Sequence, residues 1–424
     1  MALEGDLSPL RESFGVSGFC IINSIRNRLL ETNQLFERRR LNTNMGTKLS
    51  CAKHKKSLKK AKREREPCIA FVHTTNLPAL FQDLQISLLV TTYQAQRVMT
   101  FSAPSRSKMF MLMRVFPRPT GVAIKEDELA LCSMNQIWFF RLVTNLRDDQ
   151  GKLMPYDYFL APRRSHVTGD IAAHQLAWHR DELLIVNTRF SCLCTLDEHW
   201  SFVPGWKPPF ISSYAPEDRC HLNGFCLDEH GPKYATALGA TDQPGGWREN
   251  KARGGILMEV PSGEIVAHNL SMPHTPMLYR NQLWVLESGS GSLLTVDPKS
   301  GLTELVVRLP GFLRGLSFFD KYAFIGLCQI REKSNFGGLP IEAMFDKLKC
   351  AIYVVDITTG TEVGLIEFTK GVEELFDIQV LPGVKNPHIL GFEEETINQI
   401  MVIPPQFVGA CTLDHTAKQL RSQN

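Results

Sequence analysis

Three histidines stand at a similar place in separate repeats of this sequence, and together their side chains could do chemistry. His174, His221 and His274 each open a run in which apolar residues alternate with others. Imidazoles that converge from separate segments can ligate Zn, Fe or Mn. The pattern allows two interpretations: a divalent metal held by the three histidines, or histidines that hydrogen-bond the backbone and bind nothing.

An arginine takes the histidine position in a later repeat. Arg314 lies in the run Phe312-Leu-Arg-Gly315, and Arg331 and Glu332 lie on the loop that follows. A guanidinium there could clamp a carboxylate or phosphate through two parallel N–H bonds. The alternative is a buried ion network in which Arg314 pairs with Asp377 and Glu332. The sequence leaves both interpretations open.

Further polar residues crowd around His221. Residues 241–249 form a glycine-rich loop, which we expect to be a flexible lid whose Trp247 covers a ligand. Alternatively, the indole packs against Trp206 or Pro208. The predicted catalytic residues are His174, His221, His274, Arg314 and Asp218. The predicted ligand contacts are Arg219, Asn223, Asp242, Trp247, Arg248, Arg331 and Glu332.

Other chemical signatures are missing from the sequence. It contains no phosphate-binding loop, dinucleotide fingerprint, nucleophile elbow or His-Glu-x-x-His motif. The spacing of Cys192-Leu-Cys194 is one residue short of a usual zinc knuckle, and no second pair follows at metal spacing. The eleven cysteines are scattered, mostly inside apolar runs. We therefore expect reduced, buried thiols and a cytoplasmic protein.

The histidine and arginine positions belong to a repeated pair of strands. An apolar-alternating strand, a polar turn and a second apolar strand recur at register marks 53, 47, 53, 40 and 63 residues apart. Blades of four antiparallel strands take about 40–50 residues each. The repeats fit a β-propeller better than a β-sandwich. The marks are Gly121, His174, His221, His274, Arg314 and Asp377.

The number of blades depends on one additional module. Residues 86–101 supply two strands without a register mark of their own. Counting them as a separate blade gives seven blades, which we favour. Six blades result if this module only completes the last blade, as in many closed propellers. In either case, inner strands begin at one rim of the channel, so the marked side chains converge on the axis.

The first 66 residues differ from the rest, because they are rich in Arg, Lys, Asn and Ser and lack sustained periodicity. We expect an all-β propeller over residues 67–405, a largely disordered basic extension over residues 1–66, and a tail over residues 406–424. No apolar stretch approaches the roughly 18–20 residues that span a bilayer.

Positive charge is concentrated in the extension. Residues 53–66 carry eight Lys or Arg against two acidic residues, whereas the rest has 39 basic and 42 acidic residues. We therefore expect no specific nucleic-acid binding by the propeller. Met45-Gly46-Thr-Lys-Leu-Ser50-Cys51 has the form of an acylation signal. If translation began at Met45, lipid and basic charge over residues 45–65 would support peripheral membrane association. Otherwise the run is a nuclear-localisation-like cluster or a linker.

Eight stretches of the chain together form a specific pattern: Leu88-Leu-Val-Thr-Thr-Tyr-Gln-Ala95, Phe116-Pro-Arg-Pro119, Pro216-Glu-Asp-Arg-Cys-His-Leu-Asn-Gly224, Thr236-Ala-Leu-Gly-Ala-Thr-Asp242, Gly246-Trp-Arg248, Leu270-Ser-Met-Pro-His274, Leu309-Pro-Gly-Phe-Leu-Arg-Gly315 and Ile330-Arg-Glu332. They resemble a β-propeller-like family that is classified as a domain of unknown function, number 4915. The resemblance implies a propeller and carries no established activity. Gln96 stands where we would expect glycine, which leaves the tightness of the first hairpin open.

Two classes of function fit these observations. The first is an axial His/Arg pocket that binds a small anionic ligand, with or without a metal, and acts on it as a lyase, isomerase or hydrolase. The second is a non-catalytic platform for protein partners. Polar residues at one rim favour the pocket, since a platform should expose aromatic and apolar side chains there.

The extension should be separable from the propeller. Limited proteolysis is expected to cut between about Arg38 and Arg65 and to leave a folded core, because this segment has too little apolar surface to offset its ordering entropy. Mass spectrometry of the fragments checks the cut sites. Protection of the whole segment would contradict this prediction.

Overall fold

The computed structural model of the chain describes residues 19–22, 68–146, 152–330, 337–392, 397 and 400–403. The predicted extension, apart from residues 19–22, and the predicted C-terminal tail lie outside this part. So do the proposed membrane segment 45–65, both ends of the predicted propeller, and two predicted ligand contacts, Arg331 and Glu332. Among the described residues, no helix has both the length and the apolar character needed to cross a bilayer.

Short strands make up most of the described chain, as the alternating apolar pattern predicts. The helices are α1 (Leu77–Leu84) and α2 (Ile341–Met344), with 3₁₀ turns at Gly246–Asn250 and Ser288–Ser290. The strands are β1 (Phe19–Ile22), β2 (Ala70–His73), β3 (Ile86–Thr92), β4 (Arg97–Ser105), β5 (Lys108–Val115), β6 (Pro119–Lys125), β7 (Glu128–Ser133), β8 (Gln136–Val143), β9 (Tyr158–Val167), β10 (Ala173–His179), β11 (Glu182–Asn187), β12 (Cys192–Asp197), β13 (Trp200–Pro204), β14 (Leu222–Asp228), β15 (Gly231–Ala237), β16 (Gly255–Glu259), β17 (Ile265–Leu270), β18 (Pro273–Tyr279), β19 (Gln282–Glu287), β20 (Ser292–Val296), β21 (Thr303–Arg308), β22 (Phe312–Phe319), β23 (Tyr322–Cys328), β24 (Ala351–Asp356), β25 (Thr361–Lys370), β26 (Ile378–Pro382), β27 (Pro387–Ile389) and β28 (Ile400–Ile403).

The strands form a β-propeller, which confirms the predicted fold. In the described residues there are six blades, each with four antiparallel strands. From the axis outward, blade 1 is β26-β3-β4-β5, blade 2 is β6-β7-β8-β9, and blade 3 is β10-β11-β12-β13. Blade 4 is β14-β15-β16-β17, blade 5 is β18-β19-β20-β21, and blade 6 is β22-β23-β24-β25. Two short strands widen this pattern: β2 adds to the edge of blade 6, and β27 adds to blade 2. A separate pair joins β1 to β28.

The ring closes within blade 1, where both ends of the propeller sequence meet. Its inner strand, β26, follows the mark at Asp377, and its other three strands come from the first module. The antiparallel register pairs Ile378 with Val90 and Pro382 with Ile86. The two modules that we counted separately are therefore one blade. Six blades, the alternative we allowed, is the number in the structure.

Neighbouring blades pack face to face, which explains the apolar middle strands. All seven residues of β3 and all six of β24 are buried. A strand that is covered on both faces must be apolar at nearly every position, whereas a half-exposed strand alternates. Aromatic side chains fill the interface between blades 6 and 1, where the ring centroids of Phe101 and Phe368 lie 5.9 Å apart.

The hairpin between β3 and β4 contains a strained residue. Gln96, where we expected glycine, has a φ of 54°. A side chain in this left-handed region costs roughly 1–2 kcal/mol. The hairpin still forms, and Thr92 pairs with Arg97 across its end. Glycine would adopt this backbone conformation without strain.

Replacing Gln96 with glycine should stabilise the protein. Relief of the strain exceeds the extra entropy of the unfolded glycine chain, so we expect a gain of about 0.5–1 kcal/mol. Chemical denaturation measures this gain. The matched control is Gln94→Gly in the same turn, which lacks a positive φ and should not gain stability. Equal effects of the two variants would contradict the explanation.

Candidate functional site

Bulges in the inner strands turn particular side chains toward the axis. In blade 3 the pairing of β10 with β11 shifts between Ala173 and Leu176, which leaves His174 in the bulge. In blade 6 the same shift between Leu313 and Leu316 frees Arg314. A bulge redirects side chains that a regular ladder would hold in the sheet. Gly315 completes the bulge of blade 6 with a φ of 76°.

The three histidines converge, but at two depths. The ring centroid of His174 lies 4.9 Å from that of His221 and 6.5 Å from that of His274. In blade 4, however, the bulge between Leu222 and Gly224 contains Asn223, so Asn223 and not His221 corresponds to His174. This corrects the predicted register. His221 precedes the bulge by two residues and lies nearer the mouth of the channel.

A cavity of about 250 Å³ occupies this end of the channel. Arg314, His174 and His221 line it together with aromatic, aliphatic and sulfur-containing side chains. Its volume is below that of typical drug-sized pockets, so it fits a small metabolite. The lining residues are Tyr93, Arg118, Thr120, Cys132, Met134, Asp170, Ala172, Ala173, His174, Arg189, His221, Phe312, Arg314, Cys328, Gln329, Ile330, Glu374 and Phe376.

Hydrogen bonds fix the tautomer of His174. Its Nδ1 lies 3.0 Å from the carbonyl oxygen of Ala172 and 2.7 Å from Oγ1 of Thr188. The Thr188 hydroxyl donates its proton to the carbonyl of Leu222 in the next blade, at 2.6 Å. Both neighbours of Nδ1 must therefore accept, so Nδ1 carries the proton. Nε2 is left with a lone pair.

His274 repeats this arrangement in blade 5. Its Nδ1 donates to the carbonyl of Met272 and to Oγ of Ser288, whose hydroxyl donates to Leu313 of blade 6. Nδ1 of both His174 and His274 thus donates to a backbone carbonyl, as in the alternative in which the histidines hydrogen-bond the backbone. Their Nε2 atoms remain acceptors. Nε2 of His274 is buried and has no hydrogen-bond partner among the described residues.

Burial sets the protonation of the deeper groups. Desolvation lowers the pKa of His174 and of His274 well below the ordinary value, and the nearby charge of Arg314 lowers both further. Both imidazoles are therefore neutral near pH 7. Desolvation also raises the pKa of Asp377 to about 6, although the backbone N–H groups of Val122 and Ile378 donate to its carboxylate.

Arg314 is a buried cation that has no carboxylate partner among the described residues. Only 7% of its surface is exposed. Its Nη2 lies 3.4 Å from Nε2 of His174, and its Cζ lies 4.3 Å from the ring centroid of Phe376. Nε has no partner among the described residues. The predicted ion pair with Asp377 is absent, because backbone amides and Gln379 bind that carboxylate. Glu332 lies outside the described residues.

Asp218 holds His221 in a fixed orientation. Oδ1 of Asp218 lies 2.8 Å from Nδ1 of His221, while its Oδ2 accepts from Nε1 of Trp247 at 3.0 Å and from Arg248 at 3.4 Å. The Trp247 ring packs 4.6 Å from the imidazole ring. The Nδ1 proton thus points to a carboxylate, and Nε2 is directed away from it, on an imidazole that lines the cavity.

Other predicted contacts lie in the walls. Trp247 is 3% exposed and lies in a 3₁₀ turn, so the expected flexible lid is instead packed structure. Arg219 forms ion pairs with Glu217 and Asp242, at 2.8 and 2.6 Å, away from the cavity. Nδ2 of Asn223 donates to the carbonyl of Pro273, and Oδ1 of Asn223 accepts from the Thr236 hydroxyl.

Two arginines at the mouth were missed by the sequence analysis. Arg118 and Arg189 line the cavity, and both pair with Asp170, at 3.2 and 3.3 Å. Arg118 lies inside the matching stretch Phe116-Pro-Arg-Pro119, one residue before an inner strand. Its position next to an inner strand was the feature of the sequence that could have indicated a site residue. Arg189 follows a second strand, where the register marks give no indication of a site.

The described residues contain no group of three or more His, Cys, Asp or Glu side chains that could hold a metal ion. His174, His221 and His274 meet, but a guanidinium stands beside Nε2 of His174. A divalent cation at that nitrogen would be repelled by the fixed charge of Arg314.

Comparisons with known proteins extend these observations. The model of a family described as "Domain of unknown function (DUF4915)" matches residues 75–390, which confirms the predicted resemblance. A chain of a nidogen/laminin complex aligns with a TM-score of 0.44 and 11% identity, over 70% of this chain and 98% of that chain. A streptogramin B lyase aligns with a TM-score of 0.32 and 16% identity, over 58% and 67%. No curated protein matches.

Stability should fall as the pH drops from 7 to 5.5. Burial lowers the pKa of His174 and His274 well below the ordinary value and the pKa of His388 to about 4, so all three imidazoles stay neutral in the folded protein. The unfolded chain protonates them near pH 6.5. Each of the three histidines should therefore lower the free energy of unfolding by about 1 kcal/mol over this pH range. Asp377 opposes the loss by somewhat less than 1 kcal/mol, because its raised pKa keeps a proton that the unfolded state releases. Urea unfolding should show a net loss of about 2–3 kcal/mol.

A histidine variant tests this assignment. His274→Gln should reduce the pH dependence by about 1 kcal/mol, whatever its effect on stability at pH 7. The control is His230→Gln, whose side chain is 82% exposed and should not change the slope. Identical slopes for both variants would show that the buried histidine does not titrate as described.

Proposed function

Since the chain belongs to the family "Domain of unknown function (DUF4915)", whose description carries no activity, we propose a function from the cavity itself. The propeller binds a small organic carboxylate on Arg314 and removes a proton with His221. Lyase, isomerase and hydrolase reactions can all begin with such a step, on a substrate C–H bond or on water.

The observation that carries this proposal is the unpaired Arg314. A buried charge is costly unless an opposite charge or hydrogen bonds compensate for it. Within the described part of the chain, Arg314 has one long contact to an imidazole and one contact to an aromatic face, and its Nε has no hydrogen-bond partner. A carboxylate that accepts from Nε and Nη2 would provide the missing partners in the geometry that guanidinium groups prefer.

The cavity wall defines the rest of the ligand. Phe376 packs against the guanidinium, and Phe312, Cys132 and Met134 add further apolar surface to the cavity. Burial raises the pKa of the Cys132 thiol to about 12, so this thiol stays protonated and does not compete as a nucleophile. The part of the ligand next to Arg314 is therefore small and largely apolar, and it carries the carboxylate that Arg314 binds.

His221 is the base in this proposal. Asp218 accepts the Nδ1 proton, so the Nε2 lone pair is available to the ligand. When Nε2 takes the proton, the electron pair of the broken bond stays on the substrate or on hydroxide. The imidazolium formed is stabilised by the carboxylate of Asp218. Trp247 and Arg248 keep that carboxylate in position.

A protein-interaction platform is less well supported at this mouth. Of the cavity-lining residues, Met134 is a large apolar side chain with substantial exposure, at 46%. Other exposed apolar residues, such as Trp200 and Leu305, lie on outermost strands. We also propose a cytoplasmic location, which the eight free cysteines among the described residues support.

Carboxylates should bind through Arg314. Acetate, butyrate and benzoate should bind in calorimetry, whereas acetamide, butyramide and benzamide should not, because the amides lack the charge. Arg314→Met should weaken carboxylate binding by roughly 10–100-fold, since a charge-assisted contact is lost. Its melting temperature should stay equal or rise, because an unpaired buried charge is removed.

Two further variants complete this test. Arg280→Met removes an arginine in the turn between β18 and β19 whose side chain is 48% exposed and does not line the cavity, so this variant should leave binding unchanged. Arg314→Lys keeps the positive charge but loses the two parallel N–H donors of the guanidinium group, so it should bind carboxylates more weakly than the unmodified protein. Unchanged affinity in Arg314→Met or Arg314→Lys, or equal binding of acids and amides, would overturn the proposal.

A further inference from the structure

Positive charge exceeds negative charge in the cavity lining, which contains the three arginines Arg118, Arg189 and Arg314 and the two carboxylates of Asp170 and Glu374. Nη2 of Arg118 and Nη2 of Arg189 lie 3.2 and 3.3 Å from the same oxygen, Oδ2 of Asp170. The other oxygen, Oδ1, accepts the backbone N–H of Ala172 at 3.2 Å. One carboxylate therefore serves two guanidinium groups. The cluster keeps a net charge of +1.

The two guanidinium groups retain donors for another acceptor. Nε of Arg189 is buried and has no hydrogen-bond partner among the described residues. Arg118 donates to the Tyr93 hydroxyl at 3.3 Å, a long and uncharged contact. The side chains of both arginines are only 33% and 41% exposed, so solvent satisfies these donors incompletely. A second anion at this position would be bound by charge and by hydrogen bonds.

Arg314 and the mouth arginines line one cavity but belong to separate electrostatic clusters. Arg314 contacts His174 and Phe376, whereas Arg118 and Arg189 contact Asp170. No ion pair joins the two clusters among the described residues. A ligand with a single anionic group would leave one of them uncompensated.

We propose that the ligand of this cavity is a small dianion, an organic dicarboxylate with one carboxylate on Arg314 and the other on Arg118 and Arg189. The inference rests on the proposed function and specifies its substrate class. The cavity volume of about 250 Å³ restricts the ligand to a short chain or a single ring between the two charges. His221 lines the same cavity, where its Nε2 can reach the atoms between the carboxylates.

Matched pairs of probes test this inference. Glutarate is compared with valerate, and phthalate with benzoate, by calorimetry at pH 7.5 and equal ionic strength. Within at least one pair, the dicarboxylate should bind about tenfold tighter or more. Arg118→Met and Arg189→Met should each reduce this preference at least several-fold and leave the affinity for the monocarboxylate unchanged. Asp170→Asn should increase the preference, because a competing carboxylate is removed.

A surface arginine serves as the control. Arg164→Met, on β9 with a 58% exposed side chain, removes the same charge and should keep the full preference. If Arg118→Met fails to fold, Arg189→Met alone decides the outcome. Equal affinities within both pairs, or a preference that survives Arg189→Met, would overturn the dicarboxylate inference but leave the proposed function intact. Absence of binding by all four probes at millimolar concentration would overturn both.

Discussion

The antiparallel pairing of β26 with β3 is the contact on which the rest of the molecule depends. It joins residues from the two ends of the propeller sequence through five paired positions, from Ile378 and Val90 to Pro382 and Ile86. Thr91 extends the closure, because its hydroxyl oxygen accepts the N–H of Asp377 and its proton goes to the carbonyl of Thr120 in blade 2. Only a closed ring gives the inner strands a common axis. The convergence of His174, His221 and Arg314 is a consequence of that closure.

Within the closed ring, hydrogen bonds distinguish side chains that link neighbouring blades from side chains that remain available to bind a ligand. Thr188 and Ser288 each link a histidine of one blade to a carbonyl of the next. Each link satisfies a buried backbone group that would otherwise cost free energy. Arg314 stands at an equivalent position, and the structure gives it no such link to a carbonyl of any described residue. The contrast between these side chains is the physical basis for assigning recognition to the arginine and structure to His274.

The sequence was informative where local patterns decide the structure. Strand periodicity and turn residues predicted the propeller, and the inner-strand marks predicted that His174 and Arg314 meet. Blade count required knowing which distant strands pair, and a local pattern does not contain that information. The depth of His221 depends on a bulge at Asn223. The Trp247 indole was predicted as part of a lid because glycines suggest mobility, yet a carboxylate and an imidazole hold it in place. Arg118 and Arg189 were missed because their partner, Asp170, is close only in the folded chain.

Blade 1 contains strands from both ends of the propeller sequence, so it can be completed only late in protein synthesis. A ribosome makes β3, β4 and β5 early, but their inner neighbour is made nearly 300 residues later, since Thr91 and Asp377 are 286 residues apart. Until β26 has left the exit tunnel, the inner edge of β3 is unpaired and resembles an exposed sheet edge. The nascent chain must therefore be kept from pairing with other strands for most of its translation. A ring whose closing contact joins segments so far apart in the sequence folds slowly and exposes an unpaired strand edge until its last inner strand is made.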